Sequence, residues 1–176
     1  MFNLTRKIIP ALALFSLLAV SPTAFANDQA KLALAKKVVV EGDVSSYATP
    51  SFKNILDQAY EINDKIAAMY DDMGCELAEM GYLGYGNGDF GLDIRNWKAN
   101  VTKSGMVRAT FNDGGSSSLI EFDMVCNGNK CLIDDVRHGY STNPKVLPKH
   151  TEEMSLRQEA QIMVDTNDCA WGSRLK

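Results

Sequence analysis

The chain has 176 residues, of which 22 are acidic and 18 are basic, and its formal net charge at pH 7 is −4. An acidic balance of this kind disfavours nucleic acid or an anionic membrane surface as the partner. The length corresponds to about one domain of roughly 150 residues plus a short leader.

Residues 1–26 are predicted to be a cleaved secretory signal peptide. Arg6 and Lys7 form a basic start, an apolar stretch follows from Ile8 to Val20, and Ala24-Phe25-Ala26 supplies an A-x-A cleavage pattern. This apolar stretch is shorter than the ~20 residues that span a bilayer, so no membrane span is expected. Cleavage removes two basic residues and no acidic one, so the mature net charge is −6. We expect residues 27–176 to form a single domain in the periplasm.

Two helices are predicted at the start of this domain. The segment from Asp28 to Val40 is rich in helix formers, with apolar residues at near-helical spacing. Thr49 followed by Pro50 then provides an N-cap residue and a proline at the first helical position. An apolar stripe continues through Tyr70, so the second helix is expected to run to about Asp72 and to pack with one face.

The glycine-rich segment 81–91 is predicted to be a loop, because its composition cannot hold a long helix. It carries Tyr82, Tyr85 and Phe90, which either recognise a partner or fold back over the second helix. The stretch from Asn87 to Asp93 superficially resembles a calcium loop. It lacks the third alternate oxygen ligand, the glycine in phase and the closing glutamate, so no metal site is assigned.

Four consecutive antiparallel strands are predicted next. Apolar and polar residues alternate on both sides of a turn at 103–105, which indicates a hairpin with one buried face. A second turn at 112–118 leads into a strand from Leu119 to Cys126. The turn Asn127-Gly128-Asn129-Lys130 leads into the last strand, from Cys131 to Arg137.

A terminal helix is predicted from Thr151 to Val164, with Glu152 and Glu153 in its first turn. Helices at both ends and four strands between them indicate an α+β domain.

The four cysteines are predicted to form two disulfides, because exported proteins fold in an oxidising compartment. Cys126 and Cys131 lie opposite each other at the base of a four-residue loop, so their Cβ atoms are direct neighbours. Cys75 then pairs with Cys169 by elimination. A zinc site would need a second close cysteine pair, and a thioredoxin-like thiol pair would need C-x-x-C at a helix start.

This hairpin register also pairs Met124 with Ile133 and Val125 with Leu132. It further places Phe122 opposite Asp135 and Asp123 opposite Asp134. The facing aspartates are either an acid/base pair or a solvated acidic edge. Adjacent Asp134 and Asp135 point to opposite faces of a regular strand and so cannot act as a carboxylate dyad.

No catalytic residue and no cofactor is assigned. His138, one of two histidines, could join a serine in a nucleophilic triad, but the chain has no G-x-S-x-G elbow. A surface histidine is the preferred interpretation.

The stretch from Gly91 to Gly139, with Ile133-Asp134-Asp135-Val136 ending a strand after a hairpin, resembles small exported bacterial proteins of unknown function. Those proteins close with a W-K-I-D-D-I strand, and Cys131 stands where they usually have tryptophan. They are similar to the nuclear-transport-factor-2-like, cystatin-like superfamily. The resemblance implies N-terminal helices packed on the concave side of a curved antiparallel sheet.

The resemblance leaves three functions open. Some members enclose a ligand or catalytic pocket, and many exported ones bind another protein, including immunity proteins that neutralise cell-wall-degrading toxins. We expect a non-enzymatic periplasmic inhibitor or immunity protein whose partner is a basic cell-wall hydrolase or secreted toxin. The alternatives are a small-ligand or envelope-associated binding module and a hydrolase or isomerase. The expected partner contacts are the turn Asn127, Gly128, Asn129 and Lys130, the aromatic residues Tyr82, Tyr85 and Phe90, and the carboxylate of Asp134.

Overall fold

The computed structural model describes residues 22–70, 75, 94–113, 115–151 and 154–169. Their elements follow the order helix, helix, four strands, helix, which confirms the α+β class. The bounds are α1 Pro22–Glu41, a 3-10 turn Ser45–Tyr47, α2 Pro50–Tyr70, β1 Ile94–Val101, β2 Val107–Asp113, β3 Ser116–Asn127, β4 Lys130–Ser141 and α3 Leu156–Thr166. None of the helices in these ranges is long and apolar enough to cross a membrane.

The strands form one open antiparallel sheet in the order β1-β2-β3-β4. One face of the sheet, here called the inner face, packs against the helices, and the opposite face is called the outer face. The inner-face core joins buried apolar residues from every layer, among them Val38, Phe52, Leu56, Phe111, Ile120, Phe122, Ile133, Leu156 and Met163. Burial of these side chains is the main stabilising term of the domain.

Helix α2 begins where the sequence predicts. The Thr49 hydroxyl accepts a hydrogen bond from the backbone N–H of Phe52 at 3.3 Å, and Pro50 occupies the first helical position. The predicted apolar stripe is buried from Phe52 to Ile66, but the prediction was wrong at Met69, which is 69% exposed.

Helix α3 begins later than predicted. Ser155 is its N-cap, and Ser155 and Gln158 form a reciprocal capping box, so the start predicted at Thr151 was wrong. The Thr151 hydroxyl instead donates to a carboxylate oxygen of Glu121 at 3.5 Å, which holds that residue on the sheet. The turn before β3 is also shorter than predicted, because Ser116 to Ser118 already pair with β2 as buried strand residues.

Residues 142–151, here called the strap, cross the outer face of the sheet between β4 and α3. The side-chain amide of Asn112 donates to the carbonyl oxygen of Pro144 at 2.6 Å, and the Ser117 hydroxyl donates to that of Val146 at 2.5 Å. A Cβ at Gly139 would overlap the carbonyl oxygen of His150. The strap therefore packs directly on the backbone of β4.

Both predicted disulfides are present. Cys75 and Cys169 have Cα atoms 5.4 Å apart, and Cys126 and Cys131 have Cα atoms 4.0 Å apart. The backbone N–H of Cys75 donates to the Asn63 side chain at 2.6 Å, which holds Cys75 beside α2. The first disulfide thus ties the region after α2 to the end of α3, and the second closes the β3–β4 hairpin.

The β3–β4 register follows the prediction only near the hairpin turn. Met124 pairs with Ile133, Val125 with Leu132 and Cys126 with Cys131, as expected. A β-bulge then shifts the register, so that Asp123 pairs with Asp135 and Phe122 with Val136. The predicted pairs of Asp123 with Asp134 and of Phe122 with Asp135 were wrong, because Asp134 is the extra residue of the bulge.

Candidate protein-binding site

The bulge turns the Asp134 carboxylate toward the starts of α2 and α3. Its Oδ1 accepts hydrogen bonds from the Thr49 hydroxyl and from Arg157 Nη1, both at 2.7 Å. Arg157 also donates to the Asp134 carbonyl oxygen at 3.0 Å and to the Ser51 hydroxyl at 2.8 Å. The Asp134 side chain, predicted to contact a partner, is 35% exposed and engaged within the molecule.

The Asp135 carboxylate bonds to the backbone of the same arginine. Its Oδ1 accepts from the backbone N–H of Arg157 at 3.1 Å, in the first turn of α3. The expectation that Asp134 and Asp135 point to opposite faces fails here, because the bulge breaks the alternation of the strand. The two carboxylates together anchor the start of α3 to β4.

The end of the β3–β4 hairpin projects beyond the rest of the sheet. The first residue of β2, Val107, pairs with Phe122, so residues 123–127 extend past the end of β2. At the rise of a β-strand, these residues reach roughly 17 Å. We call residues 123–133 the hairpin arm. Its tip holds the predicted contact residues Asn127, Gly128, Asn129 and Lys130, all of which are exposed.

The outer face of the arm carries an exposed apolar pair. Val125 and Leu132 are direct cross-strand neighbours, and they are 58% and 40% exposed. The Cys126–Cys131 disulfide lies one residue pair closer to the turn. Because side chains alternate along a strand, it is on the inner face. A clustered apolar pair on a braced, projecting hairpin is typical of a protein contact site.

An acidic pocket of about 300 Å³ lies at the base of the arm. Its lining residues are Met106, Glu121, Asp123, Asp135, Val136 and Arg137. Within the described part of the chain, no group of three or more metal-ligating side chains is placed to hold an ion. Glu121 is ion-paired with Arg108 at 3.7 Å and Asp135 accepts from the Arg157 backbone, so the exposed Asp123 is the carboxylate that a basic side chain of a partner would reach.

His138 lies on the inner face, where it pairs with Ile120 across the sheet. Burial lowers the pKa of its imidazole from 6.5 to about 4, so the ring is neutral at neutral pH. The expectation of a surface histidine was wrong, because the strand register turns this side chain inward.

Large side chains pack the inner face beside α2. Phe52, Phe111 and Phe122 are completely buried, and Ile55 packs against the same cluster. These side chains occupy the interior beside α2, whereas a pocket of about 580 Å³ lies between α1 and Trp97 of β1.

Three of the predicted contact residues, Tyr82, Tyr85 and Phe90, lie outside the described residues, as does most of the segment from Asn87 to Asp93. Val125, Leu132, Asp123 and Glu121 were not predicted as contact residues. The signal for Val125 and Leu132 was present in the sequence, because both adjoin the disulfide on the face opposite to it.

The chain matches no protein-family model, no curated protein and no solved structure.

Proposed function

We propose that this protein is a non-enzymatic periplasmic inhibitor or immunity protein that binds and neutralises a basic cell-wall-targeting toxin or hydrolase. The observation that carries the proposal is the hairpin arm, which presents Val125 and Leu132 beside an acidic pocket. This arrangement provides an apolar centre with a charged rim, which is the usual composition of a protein interface.

The construction of the arm supports a role in tight binding. The Cys126–Cys131 disulfide joins the two strands of the arm next to its turn. On the edge of β4 that faces away from β3, Thr49 N–H donates to the Ile133 carbonyl oxygen at 2.7 Å. An arm that is rigid before binding loses little conformational entropy in the complex. The two disulfides also fit an oxidising compartment outside the cytoplasm.

Charge supports a basic partner. The full chain has 18 basic and 22 acidic residues, and the predicted leader contains two of the basic ones. The predicted mature chain is therefore strongly acidic, with a net charge of −6. Attraction between opposite net charges speeds the encounter of two proteins and depends on ionic strength.

The test is affinity capture from envelope extracts of the native and rival strains. Val125→Ser with Leu132→Ser removes the apolar pair of the arm. Val146→Ser with Leu147→Ser is the matched control, because these strap residues are of the same types and are 52% and 48% exposed. We expect the unmodified protein to recover a basic cell-wall hydrolase and to inhibit its release of peptidoglycan fragments.

The arm variant should weaken both binding and inhibition at least tenfold, or about 1.4 kcal/mol, because the proposal places the pair at the centre of the interface. The strap variant should bind and inhibit like the unmodified protein. Recovery of no envelope-active enzyme, or equal loss in the two variants, contradicts the proposal.

A further inference from the structure

Along the arm, the edge of β3 that faces away from β4 is not covered by any strand of the described part of the chain. On this side β2 pairs with β3 only as far as Phe122, and no described strand pairs with residues 123–127 there. An open edge presents unpaired backbone donors and acceptors to which another extended chain can add.

The Cα distance between the two arm cysteines identifies the groups that face this edge. In antiparallel pairs, Cα atoms lie about 4.5 Å apart at non-hydrogen-bonded positions and about 5.5 Å apart at hydrogen-bonded ones. Cys126 and Cys131, at 4.0 Å, are therefore a non-hydrogen-bonded pair. Because the two kinds of pair alternate, Met124 and Ile133 form another such pair.

A hydrogen bond on the opposite edge agrees with this assignment. The carbonyl oxygen of Ile133 accepts from Thr49 N–H at 2.7 Å, so it points away from β3. By the same alternation, the N–H and C=O groups of Met124 and Cys126 point away from β4, toward the edge that no described strand covers. The Met124 side chain itself is buried in the core.

The side chains along this edge fix the chemistry of an added strand. Val125 and Asp123 lie on the outer face two residues apart, and both are exposed. They occupy non-hydrogen-bonded positions toward an added strand, where opposite side chains approach most closely. An apolar residue would face Val125, and a lysine or arginine would face Asp123 beside the acidic pocket.

We infer that the arm binds its partner by strand addition, in which an extended partner segment with the pattern apolar-x-basic pairs antiparallel with Met124 to Cys126. The inference rests on the proposed function and specifies how that partner is recognised. Charge favours a basic segment over a second copy of this acidic chain.

The test is amide hydrogen exchange by NMR on the oxidised protein. The probe is the peptide acetyl-Thr-Thr-Val-Thr-Lys-Thr-amide at millimolar concentration, and the control is the same peptide N-methylated at the two threonines that flank valine. In the free protein, the Met124 and Cys126 amides should exchange at least tenfold faster than the Val125 amide. The probe peptide should slow the exchange of the Met124 and Cys126 amides at least tenfold, and the N-methylated peptide should not change it.

Charge reversal tests the side-chain part of the inference. Asp123→Lys should weaken the binding of the peptide at least fivefold. Asp64→Lys, at an exposed site on α2, should leave the binding unchanged. Strand addition is overturned if Met124 and Cys126 are already protected in the free protein, if the two peptides act alike, or if a second copy protects the edge.

The two proposals fail separately. Capture of a hydrolase through the arm without protection of the Met124 and Cys126 amides overturns strand addition alone. Protection by the peptide without any envelope partner overturns the proposed function alone.

Discussion

Gly139 shows how one residue of β4 sets the position of the whole strap. A Cβ at this position would meet the His150 carbonyl oxygen and the backbone of Thr151, neither of which is the end of a flexible side chain. Gly139→Ala should therefore destabilise the protein by about 1 to 3 kcal/mol, as overpacking does in a well-packed site.

The control for this substitution is Gly115→Ala, because a Cβ there meets nothing within 4 Å. It should change the free energy of unfolding by less than about 0.5 kcal/mol. Urea denaturation of both variants measures the difference, and equal midpoints would refute the close packing of the strap.

His138 should make stability fall as the pH falls. Burial lowers the pKa of the native imidazole to about 4, whereas the unfolded chain titrates near 6.5. Below pH 6.5 the unfolded state therefore binds a proton that the native state does not, so the stabilisation present above pH 6.5 is lost progressively down to about pH 4. The full effect is roughly 3 kcal/mol.

Urea denaturation at a series of pH values from 7 to 4 checks this dependence. His138→Gln should remove this part of the slope even if the variant is less stable throughout, and His150→Gln, at an exposed site, should keep it. An unchanged slope in His138→Gln would show that another group controls the acid sensitivity.

At the scale of elements, the β4 bulge joins three parts of the fold through one ion pair. Arg157 and Asp134 are 27% and 35% exposed, and their hydrogen bonds connect β4 with the first turns of α2 and α3. Asp134→Asn should cost about 1 to 2 kcal/mol, because a charge-assisted bond in a partly shielded site is lost.

Asp57→Asn is the matched control. Asp57 pairs with Lys53 at 2.9 Å, but both side chains are about half exposed, so the loss should stay below about 0.5 kcal/mol. Chemical denaturation compares the two variants, and an equal effect would mean that the bulge contributes no more than a surface ion pair.

Local sequence signals predicted the helices and strands but not the tertiary contacts between them. Thr49-Pro50 marked the start of α2, and the short loop between Cys126 and Cys131 fixed the register beside it. The bulge at Asp134 could not be predicted in this way, because its partners Thr49 and Arg157 are distant in the sequence. Glu152 and Glu153 suggested an early start for α3, whereas the capping box begins at Ser155.

At the scale of the whole molecule, the two disulfides should differ in their contribution to stability. Cys75 and Cys169 are 94 residues apart, and Cys126 and Cys131 are five apart. The chain-entropy relation gives about 4 to 5 kcal/mol for the long loop and about 2 kcal/mol for the short one.

Paired alanine substitutions at each disulfide, compared by urea denaturation, measure these contributions. The Cys75–Cys169 pair should be the more costly to remove. The reverse order would show that strain or residual structure, rather than loop closure, controls the effect.

The candidate site was predicted only in part for a related reason. The exposed tip at 127–130 follows from its turn residues, and the sequence also places Val125 opposite Leu132. Their exposure depends on where β2 ends, which is a property of the assembled sheet. Apolar alternation alone cannot distinguish such a pair from a buried one.

Site-specific photo-crosslinking in growing cells tests the role of the hairpin arm most directly. A photoreactive phenylalanine analogue at Asn129, on the exposed tip, is compared with the same analogue at Gln58, on the exposed side of α2. We predict that the Asn129 position forms a crosslink to a basic cell-wall hydrolase and that the Gln58 position does not. Absence of that crosslink at Asn129, or equal crosslinking at both positions, would contradict the assignment of the arm as the binding site.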